Sequence, residues 1–229
     1  MIVDSMSYQD IYDLWKKDKD GIVKHKSADA LKAAHKLLNK TFSNEWTYYK
    51  PLEFKSASGI SYILQPINCG RNVPKKDRIG CNLIGYFINS KGLHFISEIT
   101  DADGTNLWVY IPHFLNRYRE RFVKDATLDK IQLIKDYIRR NKLNLRTYIK
   151  STKYPDSYYA IINDGLCLCT DHGKGIIEVK TFLTWDMLGE DQDILVKEAR
   201  AFMEQSNGIL NPQAIPQEFF TPFVESNMK

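Results

Sequence analysis

The chain is short of the residues that punctuate or cross-link a fold, and each shortage excludes a class. Glycine (12) and proline (8) are sparse among 229 residues, so there is no collagen-like or low-complexity signature. Four cysteines, at 69, 81, 167 and 169, are too few to staple a chain of this length and read as free thiols or metal ligands. No apolar run approaches the roughly 20 residues of a membrane-spanning helix. The opening "MIVDSMSYQD" has neither a basic start nor an apolar core, so the chain is expected to be neither inserted nor exported. A reducing cytoplasm is the simplest reading. Walker, dinucleotide-binding, H-E-x-x-H, G-x-S-x-G and EF-hand patterns are also missing, which leaves the well-marked enzyme classes without support. No cofactor is implied.

What remains is an ordinary folding composition, 43% apolar and 26% charged, long enough to bury a core. In "SYQDIYDLWKKDK" the helical period puts Ile11, Leu14 and Trp15 on one face. Ser27 is placed to cap a second helix, "ADALKAAHKLLNKTF", in which Leu31, Ala34, Leu37 and Leu38 recur and His35 sits at the core edge. From about Glu53 to Tyr110 the period becomes two. "GISYILQPI", "CNLIGYFIN", "GLHFISEI" and "TNLWVYI" read as an antiparallel meander, with "NSKG" and "DADG" as turns and "NCGRNVPKKDRIG" as a polar loop.

A helix pair follows, the second being "TLDKIQLIKDYIRRNKLN", capped by Thr127 and striped by Ile131, Ile134, Tyr137 and Ile138. "SYYAIIND", "GLCLCT" and "GIIEVKTFLT" form a second short antiparallel sheet segment. "DQDILVKEARAFMEQ" is a closing helix. Helices do not alternate one by one with strands, so the class is α+β: N-terminal helices, β-meander, central helix pair, short sheet, C-terminal helix. Residues 1–50 read as a helical segment and 51–229 as the α+β domain, with one single domain overall as the alternative.

Charge is unevenly placed. Pro112 to Lys153 holds 12 Lys and Arg against 4 Asp and Glu, a balance of +8; residues 1–111 have 15 against 12, and 154–229 have 5 against 12. A basic block between less basic flanks is the footprint of a surface for RNA or another polyanion, or for an acidic protein partner.

The block opens on "WVYIPHFLNRYRERF". Pro112 suits the first helical position, because its missing N–H would be unpaired there anyway. A step of about 100° per residue gathers Phe114, Leu115, Tyr118 and Phe122 into one stripe. The opposite face collects His113, Arg117, Glu120, Arg121 and Lys124. An imidazole beside a phosphate site is what a general base requires, and the two guanidinium forks could clamp a phosphodiester and offset its transition-state charge. The bland alternative is a solvated basic face with Glu120 paired to Arg117 or Lys124. His94, on the strand face opposite Leu93 and Phe95, is expected to face solvent or a site, and either His94 or Glu120 is the candidate acid partner to His113.

A strand ending in "xPH", a helix of the form H-x-x-x-R-x-x-x-R, a second helix and a short antiparallel sheet closing on a "KTF" strand resemble the small metal-independent ribonuclease toxins of the RelE and barnase-like superfamily. The matching residues are His113, Arg117, Arg119, Glu120 and Arg121, and the resemblance implies Thr181 as a polar residue on the last strand. It covers about residues 106–185 and implies metal-independent transesterification of RNA by a nuclease-like module there.

Cys167 and Cys169 alternate on one strand face with His172 nearby, which admits a metal reading; paired C-x-x-C knuckles are missing, and free buried cysteines are the commoner outcome. Arg139, Arg140, Lys142, Arg146 and Tyr148, with Arg119 and Lys124, interleave cations with rings. That pattern suits single-stranded RNA, where phosphates meet Lys and Arg and bases stack.

Overall fold

The computed structural model describes residues 2, 4–38, 47–70, 78–101, 104–141, 147–150 and 157–188. The chain divides into two compact units, Met1–Val109 and Tyr110–Lys229. In each, helices precede strands, and every described strand pairing is antiparallel. The fold is α+β. Among the described residues, no helix is long and apolar enough to cross a membrane.

In the first unit, α1 (Tyr8–Asp18) starts in a reciprocal cap. The Asp10 N–H donates to Ser7 Oγ at 3.2 Å and the Ser7 N–H donates to Asp10 Oδ2 at 2.8 Å. Two orphan donors are thereby satisfied. After Asp18 the helix widens over Lys19–Val23, where the Lys24 N–H reaches back five residues to the Lys19 carbonyl and Gly21 leaves the helical region at φ −99°, ψ −109°. The chain turns there into α2 (Lys24–Leu38). The expected cap at Ser27 is corrected: Ser27 lies inside α2, because the helix is entered from a turn that is already hydrogen-bonded.

The strands of this unit are β1 (Thr47–Tyr48), β2 (Leu52–Lys55), β3 (Ser61–Asn68), β4 (Ile79–Asn89), β5 (Gly92–Asp101) and β6 (Gly104–Tyr110), ordered β1-β3-β4-β5-β6 with β2 also on β3. The four expected strands are β3 to β6. The short β1 and β2, split by Pro51, escaped the periodicity. Ser90 and Lys91 turn β4 into β5, Asn89 Oδ1 accepting from the Lys91 N–H at 3.0 Å while Gly92 takes φ 117°. α1 seats Trp15 against Tyr62 (ring centroids 5.5 Å) and over Gly85. Trp15 Nε1 donates to Glu98 at 2.8 Å, and Glu98 also pairs with Lys19. Asp18 accepts from Ser58 Oγ at 2.6 Å and from the Tyr62 hydroxyl at 3.0 Å. Burial, reinforced by the Asp18 charge, pushes the Tyr62 phenol up. Residues 71–77 of the expected polar loop lie outside the described residues.

The second unit begins with α3 (Pro112–Tyr118), Pro112 standing at the first position as expected. It widens in turn over Arg119–Val123, closed by the Lys124 N–H on the Arg119 carbonyl at 2.7 Å with Lys124 left-handed at φ 57°. α4 (Lys130–Arg140) is capped by Asp129, whose Oδ2 accepts from the N–H groups of Ile131 and Gln132 at 2.9 and 3.1 Å. The expected Thr127 cap is corrected: its N–H and hydroxyl both bond Asp125 Oδ1, at 2.8 and 2.6 Å, two residues too early to reach the open turn of α4.

The strands here are β7 (Thr147–Lys150), β8 (Ser157–Ile162), β9 (Gly165–Asp171) and β10 (Ile176–Leu183), ordered β10-β9-β8-β7. β7 adds to the three strands expected. Phe114, Leu115 and Tyr118 are buried, as the stripe required. Phe182 of β10 meets Tyr118 at 5.0 Å and Phe114 at 6.3 Å, both edge-on, and Tyr137 of α4 meets the same two rings at 5.2 and 5.4 Å. This aromatic cluster fixes α3 and α4 on one face of the sheet. The expected closing helix and the tail lie outside the described residues.

Candidate nucleic-acid interface

The exposed side of α3 brings three of the expected side chains into contact. Arg117 Nη1 donates to Glu120 Oε2 at 2.7 Å, and Arg117 Nε donates to His113 Nε2 at 3.4 Å. His113 and Glu120 are exposed and Arg117 is half-buried. One guanidinium therefore bridges an imidazole and a carboxylate on the solvent side of a helix whose other side is locked into the aromatic cluster.

The remaining arginines of this helix have a different occupation. Arg121 donates through Nη1 to the Phe182 carbonyl. Arg119 Nη2 donates to the Leu128 carbonyl at 2.7 Å. Both point at neutral backbone acceptors and tie the widened turn to β10 and to the start of α4. Lys124 is exposed at the end of that turn.

On α4, Arg139 Nη1 lies 3.8 Å from Asp136 Oδ1, while Arg140 is exposed with its guanidinium carbon 5.4 Å from the Phe122 ring centroid. The end of α4 is firmly held. Asn163 Nδ2 donates to the Arg140 carbonyl at 2.8 Å, and Asn141 Nδ2 donates to the Tyr137 carbonyl at 2.8 Å and to Asp164 Oδ2 at 3.1 Å. Lys142 and Arg146 lie outside the described residues, as does the side chain of Tyr148.

The carboxylates of this stretch decide how much positive charge survives. Asp129 accepts the first N–H groups of α4, and Asp125 accepts from Thr127. The Thr127 hydroxyl and N–H hold the Asp125 carboxyl below its ordinary range. Two of the four acids between Pro112 and Lys153 thus close turns, Asp125 also feeling the Arg119 charge, while Glu120 and Asp136 pair with Arg117 and Arg139.

Thr181 is not brought to this face. Thr181 pairs across the sheet with Leu168, next to the Phe182–Cys167 pair. Since Phe182 packs on α3, strand alternation sends Thr181 to the opposite side, where Leu168 joins the Ile161–Leu166 cluster. His94 belongs to the first unit and is buried at 4% exposure, its ring stacked on Phe87 at 4.9 Å with Nδ1 3.2 Å from the Gly92 carbonyl. The expectation of a solvent-facing His94 is corrected: Leu93, Phe95 and Ile96 are buried too, so both faces of β5 are covered and alternation carries no exposure signal.

Cys167 and Cys169 are free and buried at 1% and 2%. His172 Nε2 lies 2.9 Å from Glu178 Oε2. Among the described residues no group of three or more His, Cys, Asp and Glu is arranged to hold a metal ion.

Sequence reasoning missed Asp164. It accepts from the Tyr118 hydroxyl at 2.5 Å and from Asn141, and its N–H donates to Asn141 Oδ1 at 3.3 Å. Burial pushes its carboxyl up against these donors. "NDG" signalled only a turn; nothing local revealed that the turn is buried under two helices. No protein-family model matches the chain, and no curated protein or solved structure matches it either.

Proposed function

We propose that the second unit binds single-stranded RNA through the exposed side of α3 and α4. The observation that carries this reading is the fate of the acids. Pro112 to Asn141 holds eight Lys and Arg against four Asp and Glu, and Asp125 and Asp129 are committed to turn and cap donors. Glu120 and Asp136 pair with Arg117 and Arg139, and the remaining balance of four positive charges is carried by one helix pair, with Lys124 and Arg140 exposed. Fixed cations on a helix pair release counterions from a phosphate backbone, which is the main source of sequence-independent affinity. Arg140, beside Phe122 on a helix end held by Asn141 and Asn163, is in a position to stack a base.

The test is binding of a uridine-rich oligoribonucleotide across a salt series. Affinity should fall steeply with salt, and replacing Arg139 and Arg140 together with Ala should flatten the log–log slope by about 0.7 per lost contact. A slope that the double variant leaves unchanged moves the interface elsewhere. No binding at low salt favours the acidic-protein-partner reading.

A second reading is supported by one specific contact set, the bridge of Arg117 between His113 and Glu120. In it the protein cleaves RNA by metal-independent transesterification, the reaction implied by the resemblance of residues 106–185 to ribonuclease toxins. The substrate 2′-oxygen attacks phosphorus as its proton passes to His113, and the bond to the 5′-oxygen breaks as that oxygen takes a proton from water. Arg117 would hold the phosphate and offset its growing charge. Arg121, committed to the Phe182 carbonyl, positions the helix in this reading and is no second clamp.

A further inference from the structure

We infer that Arg117 is a phosphate-operated latch: in the free protein its guanidinium holds both His113 and Glu120, and a phosphate gripped on its Nε–Nη2 edge displaces His113. This rests on the RNA-binding reading and specifies how the face responds to its ligand.

Three observations carry it. First, the two partners use different nitrogens of one guanidinium, Nη1 toward Glu120 Oε2 and Nε toward His113 Nε2. Nε carries a single N–H, so a phosphate gripped on the Nε–Nη2 edge takes the donor that His113 now holds. That grip cannot form while the His113 contact persists.

Second, Arg119 and Arg121 are occupied by the Leu128 and Phe182 carbonyls. Removing either guanidinium from its carbonyl would cut a tie between the widened turn and the start of α4 or β10. Arg117 is the arginine of this helix whose partners are side chains one turn away on the exposed face, so its rearrangement costs no backbone bond. Exposed helical pairs of this kind are weak, which makes Glu120 a displaceable stand-in for a ligand carboxylate or phosphate oxygen.

Third, the consequence falls on the reactive atom. His113 Nε2 accepts from Arg117, so its lone pair is occupied in the free protein. When Nε turns to phosphate, that lone pair is exposed beside the bound anion. Ligand capture and base exposure become one event.

The experiment reads the His113 imidazole nitrogens by long-range ¹H–¹⁵N correlation on the full chain, with His113→Gln identifying the resonance. An oligouridylate and inorganic phosphate are titrated separately, against sodium chloride at equal ionic strength. Both anions should shift the Nε2 resonance where chloride does not. In Arg117→Met the resonance should already sit at the released position and stay there on titration. Glu120→Gln should bind the oligonucleotide about twofold more tightly, because the internal competitor is gone.

Oligonucleotide binding with an unmoved Nε2 resonance overturns the latch while leaving the binding surface standing. The same shift on titration of Arg117→Met shows that the anion acts on His113 directly and overturns it as well. If the oligonucleotide does not bind, the RNA reading fails, and the phosphate titration alone decides the latch: a shift keeps it, and no shift removes it. Equal affinity of the parent and Glu120→Gln removes the carboxylate from the device.

Discussion

The Tyr118 hydroxyl donates to Asp164 Oδ2 at 2.5 Å, joining α3 to the β8–β9 turn across 46 residues of sequence. Asn141 completes the joint from α4. The side chain that carries this bond belongs to the same short helix as His113 and Arg117. The geometry of the exposed face thus depends on a buried polar bond behind it.

Tyr118→Phe keeps the ring in the aromatic cluster and removes one donor from a half-buried acid. The expected loss is about 1 kcal/mol of unfolding free energy, since the half-buried acceptor keeps Asn141. Urea denaturation at neutral pH measures it. An unchanged midpoint would mean that water replaces the hydroxyl without penalty.

Asp164 also predicts a pH dependence. Its carboxyl is raised by burial in the folded chain, with the Tyr118 and Asn141 bonds opposing. A raised carboxyl binds its proton more tightly folded than unfolded, so its contribution to stability is present below the ordinary carboxylate range and is lost as pH rises through the raised folded value. Asp164→Asn cannot titrate. The parent should therefore gain stability relative to Asp164→Asn as pH is lowered through that window, and a pH-independent difference between the two denaturation curves would show that Asp164 is not the titrating group.

Gly165→Ala should be among the most damaging single changes in the second unit. A Cβ there would stand 2.2 Å from the Leu183 carbonyl oxygen and 2.9 Å from the Phe182 ring, with the residue at φ 156°. The oxygen is backbone and cannot rotate away, so β9 and β10 must separate locally. Thermal unfolding should show a loss of about 3 kcal/mol or more, at the upper end for overpacked or strained sites.

Thiol reactivity gives an independent check on burial. Desolvation pushes the Cys81 thiol up to about 11 from an ordinary 9.0 and raises Cys69 in the same direction. At pH 8 the thiolate fraction of Cys81 falls about 100-fold, and attack on a disulfide reagent should slow in step. All four thiols should titrate in urea, with Cys81, Cys167 and Cys169 slow in the native protein. Fast native reaction of Cys81 would contradict its packing.

His113→Ala decides between enzyme and binder. If His113 takes the 2′-proton, the parent should cleave RNA in EDTA, and the variant should lose about 10²–10⁴ in rate with nearly unchanged affinity. Arg117→Ala should weaken both binding and rate, because a clamp acts on ground and transition states alike. No cleavage by the parent leaves only the binding surface, and equal cleavage by His113→Ala removes His113 from the chemistry.

What the amino-acid sequence determined by itself is everything with a short period. Alternation located β3 to β6 and β8 to β10, and the 3.6-residue repeat located the buried stripe of α3, because these patterns record which side of one element meets the core. Pro112 marked its helix start through a constraint internal to the residue. The tertiary structure decided what depends on distant partners. Arg121 looked like Arg117 on a helical wheel, yet one reaches a carbonyl 61 residues away and the other a carboxylate three residues on. Thr181 rested on the resemblance and His94 on alternation, but the face of a strand and the covering of that face are set by what packs on it. Asp164 was a turn residue until two helices buried it. A side chain's chemistry is written in its own atoms; whether it meets solvent, backbone or another charge is decided only when the remainder of the chain has closed around it.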